Sequence, residues 1–450
     1  MLNAESNISP AFLGIDVGTS GIRAIIIDTN NKILATSMRD MPAPIQASNQ
    51  AQPYYQAQPN YYEQEPLIWW QTLQTVLANL AGQFDFKHIA TVSLDATSGT
   101  VLLISQQGDP LTTALMYNDQ RAMEYVSKIE QYAPQNSPTC SATSGLAKAL
   151  WLLNNTTQAE TAHLAHQADW LAGQLTQSFH QTDSNNALKS GYDPVNKRWP
   201  QWLNNLGIQT SQLPQVTDAG TLLCPLDTQI IQKYGFNPEV QLVSGSTDST
   251  AALLATGASR IGDAVTSLGS TLVLKIISDK PVFSSEEGIY SQPLGKHWLV
   301  GGASNTGGAV LRHFFTDQQM SELETQLQPG QPTGLHYYPL LQSGERFPIN
   351  NPHLPSCLTP RPENEATFFQ AMLEGITSIE QQGFQKLQQH GAPAPKRLFS
   401  VGGGTVNKAW TTIRKQILKI PMHDALNQHA AFGAALLAKQ GYDNQNYKTA

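Results

Sequence analysis

Asp248 stands at the end of the run Val243-Ser244-Gly245-Ser246-Thr247, where a helix of small residues begins. A substrate hydroxyl is a weak nucleophile, and a carboxylate within hydrogen-bond reach can take its proton as the oxygen attacks. A helix start keeps such a carboxylate ionised through amide contacts and the dipole. The position equally suits a helix cap, and the two roles are compatible. Asp16 closes an apolar run, and Gly18-Thr19-Ser20-Gly21 follows before a second β-branched run. That is a tight hairpin with a polar tip. Its amides, with the hydroxyls of Thr19 and Ser20, suit phosphoryl oxygens. Asp16 suits a divalent cation approached through water, or else a structural bond to the loop amides. The strand, small loop, strand plan returns over 264–277, with Gly269-Ser270-Thr271 as the loop. Such a recurrence puts phosphate donors in both halves of the chain. Residues 397–401 then run into Gly402-Gly403-Gly404-Thr405-Val406-Asn407 and a helix, a good frame for nucleotide phosphates.

The elements that must position these residues can be read from periodicity. Residues 12–17 and 22–27 are strands, and 88–94 is a strand ending at Asp95. The loop Asp95-Ala96-Thr97-Ser98-Gly99 repeats the plan of the first hairpin. A helix starts near Pro66, with Trp69, Trp70, Leu73, Val76, Leu77 and Leu80 at three-and-four spacing. Residues 146–154 and 161–175 read as helices, and 183–188 as a polar loop. Residues 365–389 form a long amphipathic helix, and the last helix spans roughly 429–440. The prolines of 42–60 exclude a long helix there, and Tyr54, Tyr55, Tyr61 and Tyr62 either line a substrate cleft or cover the surface. Residues 1–10 read as a short tail.

Composition bounds the rest. The chain has 450 residues, 40% of them apolar, enough for two domains with cores of their own. The expected division is 1–241 and 242–450. A formal net charge of -7 argues against a nucleic-acid partner, which would need a basic face. It leaves room for ATP bound through local donors. Cys140, Cys224 and Cys357 are widely spaced and form no CxxC pair, which suits a reducing, cytoplasmic setting. No stretch approaches the roughly 18 apolar residues of a membrane span. The phosphate-loop motif ending in Gly-Lys-Ser/Thr, a dinucleotide fingerprint and zinc-spaced His or Cys clusters are all missing from the sequence.

The ordered set of motifs resembles the FGGY carbohydrate kinases. It comprises Gly14-Ile15-Asp16-Val17-Gly18-Thr19-Ser20, Glu63-Gln64-Glu65-Pro66 with Trp69-Trp70, Asp119-Gln120-Arg121 and Ser184-Asn185-Asn186-Ala187. It continues with Ser244-Gly245-Ser246-Thr247-Asp248, Ser267-Leu268-Gly269-Ser270-Thr271, Gly301-Gly302-Ala303 and Gly402-Gly403-Gly404. Within the family, 95–103, 167–171, 186–192 and 344–349 look most like the short pentulose kinases of cyanobacteria and plants, which are similar to D-ribulose kinases. The resemblance implies an α/β, two-domain, actin-like ATPase fold, ribonuclease H-like in each half, with an interdomain catalytic cleft. The N-terminal domain would be the sugar side and the C-terminal domain the nucleotide side. ATP and Mg²⁺ are the implied cofactors. Asp248 would be the base, Asp16 the metal-facing acid, and Asp16, Asp95, Ser98 and Asp248 the sugar site. Thr19, Ser20, Gly269, Ser270, Gly403, Gly404 and Asn407 would approach the phosphates and nucleotide. The implied reaction is transfer to the terminal hydroxyl of D-ribulose, with D-xylulose as the rival. A non-catalytic sensor on the same fold is the rival of another class. The expected partner is a small sugar, with no membrane, in a monomer or homodimer. Two departures bear on the pocket. Gly269-Ser270-Thr271 replaces the more usual Gly-Thr-Ser, and Tyr117 stands where a Trp is usual before the Asp-x-Arg motif.

Overall fold

The computed structural model describes residues 9–48, 57–135, 137–284 and 286–449. Tyr54, Tyr55 and most of the N-terminal tail lie outside the described residues. The chain divides into one unit of residues 1–255 and 429–450 and a second of residues 256–428. This two-domain α/β architecture is that of the actin-like ATPases. The division falls later than the expected boundary at 242, and the chain's last residues return to the first unit.

The first unit is built on a six-stranded sheet. Its strands are β1 (Ala11–Val17), β2 (Gly21–Ile27), β3 (Ile33–Asp40), β4 (Ile89–Ala96), β5 (Leu222–Pro225) and β6 (Gln241–Thr247), in the order β5-β6-β4-β1-β2-β3. β1, β2 and β3 are antiparallel neighbours, and β4 and β6 run parallel to β1. The β-branched run of β2 and the apolar run of β1 are buried on both faces, as a sheet covered by helices requires. Helix α1 (Pro66–Ala81) covers one face with Trp69, Leu73, Val76, Leu77 and Leu80. Truncating a side chain as buried as Trp69 costs about 3–5 kcal/mol. The C-terminal helix (Ala430–Thr449) covers the other face. Small residues let it lie close. A Cβ on Gly14 would stand 2.1 Å from the Ala431 carbonyl oxygen. A Cβ on Gly433 would stand 1.9 Å from that of Ala251, in helix α2 (Asp248–Ala255). These contacts, with the pairing of β6 to β4, move the division past residue 242.

Strands Ile45–Ser48, Ala57–Gln64, Ala114–Leu115, Val101–Ile104 and His163–His166 form a further sheet in this unit. The segment expected as a helix over 161–175 is therefore a strand followed by helix Gln167–Thr176. Antiparallel pairing with Val101–Ile104 claims the residues that a single periodicity would assign to the helix. The expected loop at 183–188 is strand Gln181–Asp183 and a short helix, Ser184–Leu188. The Asp183 carboxylate caps that helix, accepting from the amides of Asn185 at 2.8 Å and Asn186 at 3.1 Å.

The second unit repeats the plan. Its strands are β7 (Asp263–Leu268), β8 (Leu272–Ser278), β9 (Tyr290–Leu294), β10 (His297–Ser304), β11 (Arg397–Val401) and β12 (Met422–His423), in the order β9-β10-β8-β7-β11-β12. β7, β8 and β10 are antiparallel neighbours, and β11 and β12 run parallel to β7. Strands β10-β8-β7-β11-β12 thus match β3-β2-β1-β4-β6 in order and direction. The weak internal recurrence in the sequence is a recurrence of topology. Helix α3 (Gly308–Phe314) follows β10. The long helix α4 (Glu365–Gln389) has the bounds its periodicity predicts, and α5 (Lys408–Leu418) follows the glycine run. Gly301 and Gly302 belong to strand β10.

Candidate functional site

In the first unit the chemistry gathers at the carboxyl ends of parallel strands, the usual place for a site in such sheets. Asp16 in β1 pairs in register with Asp95 in β4, and Asp95 with Ser246 in β6. Asp248 follows at the first position of α2, where its Oδ1 accepts from the Ser249 amide at 2.6 Å. Both readings of Asp248 are therefore served by one geometry: it begins a helix, and it stands beside the strand-end acids. Register alone brings these residues together, though they are separated by tens to hundreds of positions in sequence.

Burial sets their charge. Asp95 is 0% exposed, and no N–H or O–H donor reaches either of its carboxyl oxygens. Its nearest acidic neighbour is the Asp16 carboxyl, and two acids this close in a buried setting each disfavour the other's charged form. Burial pushes Asp16 up to about 6, opposed by its bond to Asp95, reinforced by Asp248 and opposed again by Arg23. Asp95 is raised well above the ordinary range by burial first, then by the fields of Asp16 and Asp248. Arg23 stands opposite Asp16 on β2 and also touches His429.

The loop after β4 adds a polar wall. Thr97 Oγ1 donates to Gln167 Oε1 at 2.6 Å, and the Ser98 hydroxyl is buried without a partner. Lys189 Nζ reaches the Ser98 carbonyl at 3.5 Å. Burial lowers the Lys189 ammonium and the field of Asp248 raises it, which puts the two in electrostatic contact. Lys148, wholly buried, donates to the Met116 carbonyl at 2.8 Å, and burial lowers it to about 7. Asn185 Nδ2 donates to Ser246 Oγ at 2.9 Å, tying the Asp183 cap to β6. Sequence reasoning assigned no role to Lys148, Lys189 or Gln167. Gln167 and Lys189 lie in the stretches 167–171 and 186–192 that carry the family resemblance, whereas Lys148 reaches the site from a helix with no motif of its own.

Among the described residues, no three His, Cys, Asp or Glu side chains are grouped so as to hold a metal ion alone. The Asp16 and Asp95 carboxyls nonetheless fit Mg²⁺. They are hard oxygen donors, and Asp95's are buried without a hydrogen-bond donor. Mg²⁺ keeps several waters and is commonly held by one or two carboxylates plus the phosphates it accompanies.

Thr19 and Ser20 form the tip of the β1–β2 hairpin. Thr19 is half-buried and Ser20 exposed. The Gly18 amide donates to the Gly21 carbonyl at 3.0 Å, and the Met41 amide to the Ser20 carbonyl at 2.8 Å. The tip is thereby held as an ordered turn rather than a loose loop.

The second unit holds a cavity of about 590 Å³ lined by Gly269, Ser270, Gly403, Gly404 and Asn407, five of the residues expected to approach phosphates and nucleotide. Gly308, Arg312, Glu324 and Trp410 also line it, and none of these was singled out by the sequence. Gly402 is the hinge of the cradle. Its φ is +91°, and a Cβ there would stand 2.8 Å from the Leu268 carbonyl group at the end of β7. Two strand-end loops meet there at backbone distance. Asn407 caps α5, its Oδ1 accepting from the Trp410 amide at 2.6 Å. Glu324 accepts from the Lys408 amide at 2.7 Å in the same helix turn.

No helix among the described residues is long and apolar enough to cross a membrane. Residues 11–255 match the model of the N-terminal domain of the FGGY family of carbohydrate kinases, and residues 264–440 that of its C-terminal domain. The gluconokinase of Bacillus subtilis (strain 168) is 24% identical over 443 residues, covering 90% of this chain and 82% of that protein. A xylulose kinase of Staphylococcus epidermidis is 20% identical over 451 residues, covering 96% of this chain and 88% of its own length. The crystal structure of a xyloylose kinase from Brucella ovis superposes with a TM-score of 0.85 at 21% identity, covering 96% of this chain and 91% of that one. At that identity the superposition speaks for the fold alone.

Proposed function

We propose that this chain, which belongs to the FGGY family of carbohydrate kinases and is an ATP-dependent carbohydrate kinase, phosphorylates the terminal hydroxyl of a pentulose. The observation that carries the reading is the strand register that gathers Asp16, Asp95 and Asp248 in the first unit. Asp248 is the proposed base. It accepts the proton of the sugar hydroxyl while that oxygen bonds to the γ-phosphorus and the bond to the leaving ADP oxygen breaks. Asp248 suits this task because it is half-buried at a helix start, where amide contact favours the carboxylate. Asp16 and Asp95 would hold Mg²⁺, which supplies neutralisation of the phosphate charge when bound. Thr19 and Ser20 are proposed as donors to the phosphoryl oxygens. Ser98 and Asp95 present buried polar groups suited to sugar hydroxyls. The cavity of the second unit, with its glycine cradle, is proposed as the nucleotide site.

For the substrate, the relatives weigh toward D-xylulose, since xylulose kinases match over nearly the whole chain. The motifs at 95–103 and 186–192 weigh toward D-ribulose, its epimer. ADP release measured in parallel with D-xylulose, D-ribulose, D-gluconate and glycerol decides among them. The expected result is turnover with D-xylulose exceeding that with the other three. Equal ADP release with and without any sugar would overturn the kinase reading of this site.

A further inference from the structure

We infer that Arg312 is the cation that meets the phosphate chain of the nucleotide in the cavity of the second unit. The inference rests on reading that cavity as the nucleotide site.

Arg312 lies in α3 and is exposed to the cavity. One guanidinium nitrogen, Nη2, donates to Ser270 Oγ at 3.0 Å, at the tip of the β7–β8 hairpin. Nη1 stands 3.5 Å from where a Cβ on Gly308 would be. The guanidinium is therefore laid across the glycine loops rather than swung out to solvent. The Gly308 amide donates to the Gly269 carbonyl at 2.9 Å, and the Ala309 amide to the Ser270 carbonyl at 3.0 Å. These bonds lock the base of α3 to the hairpin and fix the height at which the side chain enters. A Cβ on Gly308 would meet the Gly269 carbonyl oxygen at 2.8 Å, so the close approach needs a glycine.

The charge distribution singles out this side chain. Of the residues lining the cavity, Arg312 alone is cationic, while Asp317 and Glu324 are acidic. Arg312 takes part in no ion pair among the described residues, so no carboxylate claims its guanidinium, and it is the cavity's own cation. A guanidinium presents five donors in a planar fork that matches phosphate oxygens two at a time. In a chain of net charge -7, affinity for a polyanion must come from such local donors. The Ser270 hydroxyl orients the fork and leaves its other donors for the ligand.

Calorimetric titration of the full chain with ADP, AMP and adenosine tests this. Arg312→Met is expected to weaken ADP by about 10-fold or more, to weaken AMP less, and to leave adenosine within about 2-fold. The wild-type preference for ADP over adenosine should shrink as salt is raised, and the variant should show less of that dependence. Arg312→Lys should recover part of the loss, because charge returns without the fork. Equal weakening of ADP and adenosine by Arg312→Met would mean that the side chain only packs the cavity, and would overturn the inference. ADP affinity unchanged in Arg312→Met would also overturn it, with the nucleotide site left standing. Wild-type chain that binds neither ADP nor adenosine would sink the nucleotide site and this inference together.

Discussion

The β1–β2 and β7–β8 hairpins have the same topology and carry opposite chemistry. Each is the antiparallel pair that leads its sheet, and each is flanked by a parallel strand. At the first, Asp16 faces a buried acid, Asp95, on the parallel neighbour. At the second, Ser267 faces Val401 on the parallel neighbour, and the glycines of both loops leave a cavity. One fold has been loaded once with carboxyls and once with backbone, a hydroxyl and an arginine. Acids repel the phosphates that the second cradle would attract, so a division of labour follows from electrostatics. The strand-end acids beside the first hairpin suit a cation and proton transfer, while its Thr19–Ser20 tip and the glycine loops of the second hairpin suit phosphoryl oxygens.

The sharpest way to break this comparison is at Asp248. Asp248→Asn should lower kcat by about 10²–10⁴-fold while leaving ADP affinity in place. Steady-state kinetics beside ADP titration measures both. A matching loss of ADP affinity would erase the contrast between the two units. On the other side, Gly402→Ala forces a side chain into a left-handed conformation against the Leu268 carbonyl group. It should destabilise the second unit by about 1–3 kcal/mol and raise KM for ATP several-fold, with KM for the sugar unchanged. Denaturant unfolding and initial rates report the two effects.

A smaller effect sharpens the picture of the acidic side. Burial raises Asp183 to about 6, reinforced by Asp169 and opposed by its bonds to Asn185 and Asn186. A raised carboxyl holds its proton more tightly in the folded chain than in the unfolded one. Its favourable contribution is therefore full below the ordinary value of 3.8 and is lost as pH rises through about 6. Asp183→Asn keeps an oxygen for the helix cap but sets an amide against the Asn186 Nδ2 donor. That constant offset aside, the variant should gain stability relative to wild type as pH rises from about 4 to about 6, and then level off. Thermal melts of both chains across that range give the slope. A difference that is flat with pH would show that Asp183 is ionised alike in both states.

The smallest expected effect lies at the exposed tip of the first hairpin. Ser20→Ala removes one solvent-facing hydroxyl and should change KM for ATP by about 3-fold or less, with unfolding unaltered. A loss as large as that at Asp248 would make Ser20 the dominant donor and reverse the ranking of the two regions.

Much of this is legible in the amino-acid sequence. The spacing of Trp69, Leu73, Val76 and Leu80 defines α1, and that of Phe368, Phe369, Met372 and Ile376 defines α4, because amphipathic periodicity is local information. The glycine loops were legible too, since small residues between apolar runs have few other uses. Strand His163–His166 was hidden because its identity depends on a partner some sixty residues away in the chain. The return of the C-terminal helix to the first unit was hidden for the same reason. Its small residues announce close packing but not against what.

Residue type and local spacing alone pick out the candidates for chemistry: Asp16 and Asp95 near strand ends, Asp248 at a helix start, and Gly269, Ser270, Gly403, Gly404 and Asn407 in small-residue loops. Residue type and local spacing are properties of the chain, and they survive without a fold. Only the tertiary structure decided which of these share a rung, which are buried without a donor, and which stray side chains join them. Lys189 beside Ser98 and Arg312 on Ser270 belong to that second group. Register and burial are set by long-range pairing, and the charge of a carboxyl depends on what surrounds it rather than on its neighbours in sequence.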